Sequence, residues 1–300
     1  MWGRSVAAES VTRRLWRRAR WFVRDRWPDR DVVREVQGVR MHLPWSHRLP
    51  DYARVAPDYG QNLIRLAALL AEGNRPLTVL DVGANIGDST MQILEATDAR
   101  VLCVEADGFF VNYLERNVGN DDRVAIEASL LSASADDVAM SPVRVGGTTR
   151  FEPGASEVTA PTVTTAVLRE RHPEFADLRL AKSDTDGYDV ELIPAIARTW
   201  AHSRPVLFLE YDHALSRLAG NDPLALWPEL AELGYTRVAA WDNSGQPVDQ
   251  WAVDEIAQHT AVLDVTDGEV AHRYWDVAVV HGEDAVGLAA INQLVPVTQP

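Results

Sequence analysis

From residue 77 to residue 280, apolar runs of strand length alternate with amphipathic stretches of helical length. A strand that is apolar on both faces must be covered on both sides, and a helix between two such strands returns the chain so that they run parallel. The alternation therefore predicts an α/β fold with a mostly parallel sheet covered by helices on both faces. In such sheets, ligands bind at the carboxyl ends of the strands, where the strand order reverses.

Periodicity and flanking breaker residues place the individual segments. The predicted strands are LTVLDV (77–82), RVLCVEA (100–106), RVAIEASL (123–130), LRLAKSD (178–184), PVLFLEY (205–211), TRVAAWD (236–242) and YWDVAVV (274–280). The predicted helices are GQNLIRLAALLAE (60–72), DSTMQILEA (88–96), FFVNYLERNV (109–118) and YDVELIPAIARTW (188–200), with further helical residues before Leu233. Residues 38–57 are expected to form short extended pieces, and residues 131–177 a hairpin and a short helix.

The composition is that of a folded enzyme, with 46% hydrophobic and 24% charged residues in a chain of 300. The single cysteine, Cys103, cannot form an intramolecular disulfide, and we expect it to pack inside a strand. No apolar run is long enough to cross a bilayer, and the N-terminus lacks the unbroken apolar core of a secretory signal. We therefore expect a cytoplasmic protein.

The net charge of −15 is unevenly distributed. Residues 1–40 carry 11 arginines against 5 acidic residues, so the other 260 residues carry a net charge of −21. An acidic body of this kind repels polyanions, which excludes nucleic acid as the main partner, and it suits a cationic ligand.

The N-terminal segment has the pattern of a basic amphipathic helix that ends before Pro28. Arginines lie between apolar residues at helical spacing, namely Val11, Leu15, Ala19, Phe22 and Val23. Residues 1–40 are thus predicted to be a basic arm, and residues 41–300 one domain. Residues 1–30 could lie on an anionic membrane, contact an acidic protein partner, or pack on the acidic body of this same chain.

The segment VLDVGANIGDST (79–90) has the strand, tight turn and helix context that makes a glycine motif credible. A dinucleotide fingerprint requires glycine at its first, third and sixth positions, which here are Gly83, Asn85 and Asp88. In addition, a carboxylate at the start of the helix would repel a pyrophosphate.

S-adenosylmethionine suits this turn better, because it has no phosphate and is a net cation. Asp81 could offer its carboxylate to the ammonium end of that molecule. The predicted cofactor-binding residues of this segment are Asp81, Gly83, Ala84, Asn85, Gly87 and Asp88.

Glu105 ends the second strand, followed by Ala106, and both are predicted to bind the cofactor. A carboxylate in this place can accept hydrogen bonds from both hydroxyls of an unmodified ribose. Glu105 therefore argues against a 2′-phosphate, but it does not separate S-adenosylmethionine from a nicotinamide dinucleotide.

The fourth and fifth predicted strands end in a group of ionisable residues. The catalytic candidates are Lys182, Asp184, Glu210 and His213, with Asp186 in the turn between them. Lys182 and Asp184 face the same side of a strand, so the lysine could pair with this carboxylate, as we expect, or act as a neutral base. No metal is predicted, because no histidine or cysteine cluster has the spacing of zinc ligands. The carboxylates of Asp184, Asp186 and Glu210 could still converge on a hard cation with oxygen ligands.

Four segments together resemble a known family: VLDVGANIGDST, VEAD (104–107), KSDTDGYDVELI (182–193) and LFLEYD (207–212). They are similar to the FkbM-family methyltransferases, class I enzymes that use S-adenosylmethionine and mostly methylate hydroxyls of secondary metabolites and glycans. The resemblance covers residues 77–242, with 274–280 as the closing strand. The first motif is common to many class I methyltransferases, and the KxDxxG turn is more typical of this family.

The resemblance implies a three-layer Rossmann-like fold with seven strands, the last antiparallel. It also implies that the glycine turn lines the cofactor, that Glu105 holds the ribose and that Asp184 lies near the methyl group. The family pattern Lys-Ile-Asp-Val-Glu-Gly is here Lys182, Ser183, Asp184, Thr185, Asp186 and Gly187. These departures concern the acceptor side of the site.

We therefore expect methyl transfer from S-adenosylmethionine to a hydroxyl of a sugar, glycan or secondary metabolite. Two alternatives remain at this point. One is a binding protein that keeps the fold without catalysis, and the other is a nicotinamide-dependent dehydrogenase.

Overall fold

A computed structural model describes residues 21–27, 30–73, 75–134, 140–145, 148–153, 161–265 and 273–296. Most of the predicted basic helix, residues 1–20, lies outside the described residues, and residues 21–24 are helical. A membrane or protein contact through residues 1–30 stays a prediction. Within the described ranges, no helix is both long and apolar enough to cross a bilayer.

The described residues form the following elements. The strands are β1 (Asp31–Val36), β2 (Val39–Pro44), β3 (Thr78–Val82), β4 (Arg100–Val104), β5 (Val124–Glu127), β6 (Leu130–Ser132), β7 (Met140–Val145), β8 (Thr148–Pro153), β9 (Thr162–Thr164), β10 (Leu180–Ser183), β11 (Val206–Tyr211), β12 (Tyr235–Asp242), β13 (Pro247–Ala252) and β14 (Trp275–His281). The helices are α1 (Leu49–Val55), α2 (Gln61–Ala71), α3 (Asp88–Ala96), α4 (Gly108–Val118), α5 (Thr165–Arg171), α6 (Asp189–Thr199), α7 (His213–Leu218), α8 (Leu226–Glu232) and α9 (Ala285–Leu294).

The central sheet has the strand order β13-β12-β14-β11-β10-β3-β4-β5. Strands β5, β4, β3, β10 and β11 are parallel, and β14 is antiparallel to both β11 and β12. This arrangement confirms the predicted Rossmann-like α/β fold and its antiparallel closing strand. Strand β13 was not predicted; it forms an edge hairpin with β12 and brings the sheet to eight strands.

Helices cover both faces of the sheet because successive strand residues point to opposite sides. Leu80 belongs to a core cluster with Ile193 and Ile196 of α6. Val79, the preceding residue, belongs to a second cluster with Leu66 of α2. The two clusters give the three-layer arrangement that the alternating pattern predicts.

Residues 38–57 contain an extended piece, β2, as expected, and also the helix α1, which was not expected. Strands β1 and β2 pair antiparallel, and α1 follows with Pro50 in its first turn, where a missing N–H is tolerated. Met41 and Leu43 pack against Ile86 and Phe110 in a third cluster. The hairpin therefore spans the predicted boundary at residue 40 and packs onto the body.

The 131–177 insertion contains the expected hairpin, β7–β8, and the expected short helix, α5. It also contains β6 and β9, which pair in parallel. Asp107, the N-cap of α4, binds this hairpin by accepting hydrogen bonds from Arg144 and Thr149. The insertion is thus attached to the loop after β4.

A buried ion pair links the start of β10 to α9. The guanidinium of Arg179, 2% exposed, donates to both carboxylate oxygens of Asp284 at 2.5 and 3.1 Å. Asp284 is also the N-cap of α9.

We expect Arg179→Leu to lower the free energy of unfolding by about 3 kcal/mol, because it leaves a desolvated carboxylate without its cation. Urea denaturation measures this. The control is Arg204→Leu, whose pair with Glu283 has side chains 46% and 67% exposed. It should change stability by less than about 1 kcal/mol. Equal losses of stability in the two variants would contradict a special role of the buried pair between Arg179 and Asp284.

Candidate functional site

A cavity of about 630 Å³ lies at the carboxyl ends of β3, β4 and β10. The strand order reverses between β3 and β10, so the cavity occupies the position where sheets of this kind bind ligands. Among the predicted site residues, its lining includes Gly83, Asn85, Asp88, Glu105, Ala106, Lys182 and Asp184. The predicted residues outside the lining are Asp81, Ala84, Gly87, Glu210 and His213.

The glycine turn brings the main chain close to the end of β10. Gly83 has a φ of +71°, and a Cβ there would lie 2.0 Å from the carbonyl oxygen of Asp184. Asn85 has a φ of 53° and Gly87 one of 85°. At Gly87 a Cβ would lie 2.8 Å from Leu114 of α4. The turn therefore needs residues without side-chain bulk where β10 and α4 approach it.

Glu105 lies just after β4, buried in the floor of the cavity. Its two carboxylate oxygens accept hydrogen bonds from the backbone N–H groups of Asn85 and Asp107, both at 2.8 Å. Burial raises the pKa of Glu105 to about 7, although these two hydrogen bonds oppose the rise. Each oxygen keeps a further lone pair with which it can accept a hydrogen bond from a ligand hydroxyl.

Asp81 differs from the expected ligand to a cofactor ammonium group. Its side chain is fully buried, accepts a hydrogen bond from Thr90 at 2.7 Å and lies 3.0 Å from the Nζ of Lys182. The expected partner of Lys182, Asp184, lies further away at 3.8 Å. Burial acts to lower the pKa of Lys182, but the charges of Asp81 and Asp184 raise it above its ordinary value. Lys182 is therefore an ammonium ion paired mainly with Asp81, which disfavours its use as a base.

Asp184 begins the turn after β10, and its side chain is 49% exposed towards the cavity. The turn is held by Asp189, which accepts hydrogen bonds from Ser183, Thr185 and Gly187. Asp189 was not singled out from the sequence. Its place at the first position of α6, six residues after a strand-end serine, is the signal that could have found it.

Glu210 and His213 occupy different surroundings at the end of β11. Glu210 lies beside Asp184 in the register of β10 and β11, but it is outside the cavity lining. His213 is buried, with its Nδ1 2.9 Å from a carboxylate oxygen of Asp264 and its Nε2 3.0 Å from the hydroxyl of Tyr211. Because both ring nitrogens are engaged away from the cavity, the structure does not bring His213 together with Asp184.

His47, which sequence reasoning missed, lines the cavity from the segment before α1. Its Nδ1 accepts from the backbone N–H of Leu49, so its Nε2 carries the proton and donates to the side chain of Asn85 at 3.2 Å. Burial, assisted by the charge of Arg24, lowers the pKa of His47 to about 4. A neutral histidine thus links the N-terminal segment to the glycine turn.

Several carboxyl groups at the cavity have raised pKa values. Burial raises the pKa of Asp88 to about 6 and, with the charge of Asp184, that of Asp186 to about 7. Asp88 stands at the first position of α3, where it can interact favourably with the helix dipole. Within the described ranges, no group of acidic, histidine and cysteine residues has the geometry to hold a metal ion.

Comparison with known proteins shows similarity of fold alone. No family model matches the sequence, and no curated protein matches it. A precorrin-6y C5,15-methyltransferase from Geobacter metallireducens is 13% identical, over 73% of this chain and 86% of that one, with a TM-score of 0.38. An N-methyltransferase, NodS, from Bradyrhizobium japonicum, solved with S-adenosyl-L-homocysteine, is 11% identical over 78% and 92%, with a TM-score of 0.41. A ribosomal protein L11 methylase from Lactobacillus delbrueckii is 14% identical over 73% and 77%, with a TM-score of 0.35.

We expect Gly83→Ala to lower the free energy of unfolding by at least about 2 kcal/mol, because its Cβ would collide with backbone at a positive φ. Gly38→Ala is the matched control, since Gly38 has a φ of +87° with nothing within 4 Å of the added Cβ. It should cost only about 1 kcal/mol of backbone strain. Chemical denaturation of both variants measures the difference in the free energy of unfolding. Similar losses in the two variants would show that the close approach of Gly83 to Asp184 does not affect stability.

We expect Asp186→Asn to stabilise the protein increasingly as the pH rises. The folded-state pKa of Asp186 is raised from 3.8 to about 7, so its carboxyl group loses stability as the pH rises through that interval. Asparagine keeps the left-handed backbone, whose φ is 52°, without this loss. Thermal melting of the wild type and of Asp186→Asn at several pH values measures this. Their free energies of unfolding should be equal near pH 3.8 and should differ by about 1–3 kcal/mol above a pH of about 7.

The control is Asp107→Asn, for which we expect a loss of stability at neutral pH instead of a gain. Burial acts to raise the pKa of Asp107, but hydrogen bonds from Arg144 and Thr149 bring it below its ordinary value. Its ionised form therefore stabilises the fold at neutral pH, and the asparagine variant should be less stable there. A stabilising Asp107→Asn or a pH-independent Asp186→Asn would contradict these assignments.

Proposed function

We propose that this chain is an S-adenosylmethionine-dependent methyltransferase. The observation that carries the proposal is the single cavity that joins the glycine turn, Glu105 and Asp184 at the switch point of the sheet. A ribose acceptor, a close-approach turn and a cavity-facing carboxylate are the parts that a methyl donor and its acceptor need.

The residues present fit this cofactor. The free lone pairs of Glu105 suit the two ribose hydroxyls, and the glycine turn lines the same cavity through Gly83 and Asn85. Asp88 at the start of α3 suits a net cation, and it disfavours the pyrophosphate of the dehydrogenase alternative. The acidic lining also disfavours nucleic acid as a substrate.

When bound, S-adenosylmethionine supplies an electrophilic methyl group on a sulfonium. The chain positions the acceptor, excludes water and removes the proton of the attacking group. Asp184 is suited to accept that proton, because its carboxylate faces the cavity while Asp81 and Lys182 neutralise each other beneath it. Leu130, Leu131 and Phe151 supply apolar walls that limit access of water.

For the acceptor we propose a hydroxyl of a sugar, glycan or secondary metabolite. Asp184, Asp186 and Glu191 offer hydrogen-bond acceptors along one side of the cavity, as a polyhydroxylated molecule requires. The resemblance of the KSDTDGYDVELI segment to the FkbM family supports the same class, and family membership is part of this proposal. The expected site of action is the cytoplasm.

Calorimetric titration tests the proposal, with S-adenosylmethionine, S-adenosylhomocysteine and NADH as ligands. We expect micromolar binding of the two sulfur compounds and none of NADH. Glu105→Ala should weaken binding by about tenfold or more, because two hydrogen bonds to the ribose are lost. Glu115→Ala, on the exposed side of α4, is the matched control and should leave the affinity unchanged within about twofold.

Other results of the titration have definite meanings. Binding of NADH alone would replace the proposal with the dehydrogenase alternative. Binding of S-adenosylmethionine without turnover of any hydroxyl acceptor would favour a binding protein that keeps the fold without catalysis. Absence of binding by both sulfur compounds would overturn the proposal.

A further inference from the structure

Three carboxyl groups lie in a row beside the cavity, where β10, β11 and β14 are neighbours in the sheet. Glu210 of β11 is paired in register with Asp276 of β14. On its other side, Ser183 of β10 is paired with Leu209, so Asp184 follows alongside Glu210. Cross-strand neighbours point to the same face, which places Glu210 between two other carboxyl groups.

The register of β10 and β11 places the carboxyl groups of Glu210 and Asp184 side by side, within reach of a hydrogen bond. Two carboxylates cannot hydrogen-bond to each other, because both are acceptors only; the contact requires one shared proton. Asp184 is the member that lines the cavity and lies 3.8 Å from the Nζ of Lys182. Glu210 is outside the cavity lining and lies between two other carboxyl groups, so the proton is better placed on Glu210.

The groups around Glu210 favour its neutral form. Asp184 and Asp186 face it from the turn after β10. Asp276 faces it from β14, Tyr274 from the position just before that strand, and Tyr59 from the segment before α2. Lys182 is paired with Asp81, and Asn62 of α2 donates to Asp276, at 2.8 Å. Burial and the charges of Asp184, Asp186 and Asp276 raise the pKa of Glu210 well above its ordinary value.

We propose that Glu210 is a protonated positioning residue that donates a hydrogen bond to Asp184 and holds its carboxylate towards the cavity. Glu210 is then not a base, and Asp184 alone accepts the proton of the acceptor. The role of Asp184 rests on the proposed function, whereas the proton on Glu210 does not.

The proton on Glu210 is directly observable by infrared difference spectroscopy. At a pH about one unit above 7, the value to which the pKa values of Glu105, Asp186 and Asp276 are raised, the wild type should show a protonated carboxyl band. Glu210→Gln should lack that band. Glu127→Gln, a glutamate-to-glutamine change at the end of β5, is the matched control and should retain it.

Thermal melting at the same pH gives a second, independent measurement. Because the folded-state pKa of Glu210 is raised, its contribution to stability is complete below the unfolded-state pKa and falls as the pH rises. In Glu210→Gln the side chain does not ionise, so its contribution to stability does not fall with pH, and its amide can still donate to Asp184. This variant should therefore melt about 2 °C or more above the wild type. Glu210→Ala loses the donor and should melt below Glu210→Gln.

Glu127→Gln should shift the melting temperature in the opposite direction. Burial acts to raise the pKa of Glu127, but hydrogen bonds from Ser129 and His172 and the charge of Arg171 bring it below its ordinary value. Its ionised form is therefore stabilising at neutral pH, and the variant should melt below the wild type.

The outcomes separate the two proposals. A wild-type spectrum identical to that of Glu210→Gln would show an ionised Glu210 and overturn this inference. A Glu210→Gln variant no more stable than Glu210→Ala would overturn the positioning role. Failure of the wild type to bind S-adenosylmethionine would overturn the proposed function while leaving a protonated Glu210 in place.

Discussion

The ion pair between Asp81 and Lys182 is the interaction on which the site depends. The two residues are paired in register on β3 and β10, the strands between which the order of the sheet reverses. The ammonium of Lys182, the only lysine of the chain, also donates to the carbonyl oxygen of Gly83 at 3.0 Å. One buried cation thus compensates the buried carboxylate and holds the glycine turn against the end of β10. Without it, Asp81 would be a desolvated charge among other carboxyl groups.

This pair explains why the surrounding site can be so acidic. Asp88, Glu105, Asp186 and Asp276 all have raised pKa values, because burial and mutual repulsion favour their neutral forms. Carboxyl groups that repel one another in this way produce a negative electrostatic potential, which favours the binding of a ligand with net positive charge. The proposed sulfonium cofactor has that property, and a dinucleotide does not.

The sequence predicted the architecture well because the relevant signals are local. Helix α3 was predicted with the bounds that the structure has, since Gly87 precedes it and Asp88 begins it. The glycine turn and Glu105 were found from a strand–turn–helix context of about thirty residues. His47 and the β1–β2 hairpin were missed, because a lone histidine in a proline-rich segment carries no periodic signal. The hairpin packs against Ile86 and Phe110, which lie far away in the chain, and the ring of His47 contacts that of Phe110.

By itself, the sequence determined the alternation of strands and helices, and with it a parallel sheet and the edge at which sheets of this kind bind ligands. It also determined which ionisable residues end which strands. The partners of those residues were decided only by the tertiary structure. Lys182 was expected to pair with Asp184, two positions along its own strand, yet the register between β10 and β3 brings Asp81 closer. Periodicity is a property of neighbouring residues, whereas charge pairing and burial depend on which distant segments the core brings together.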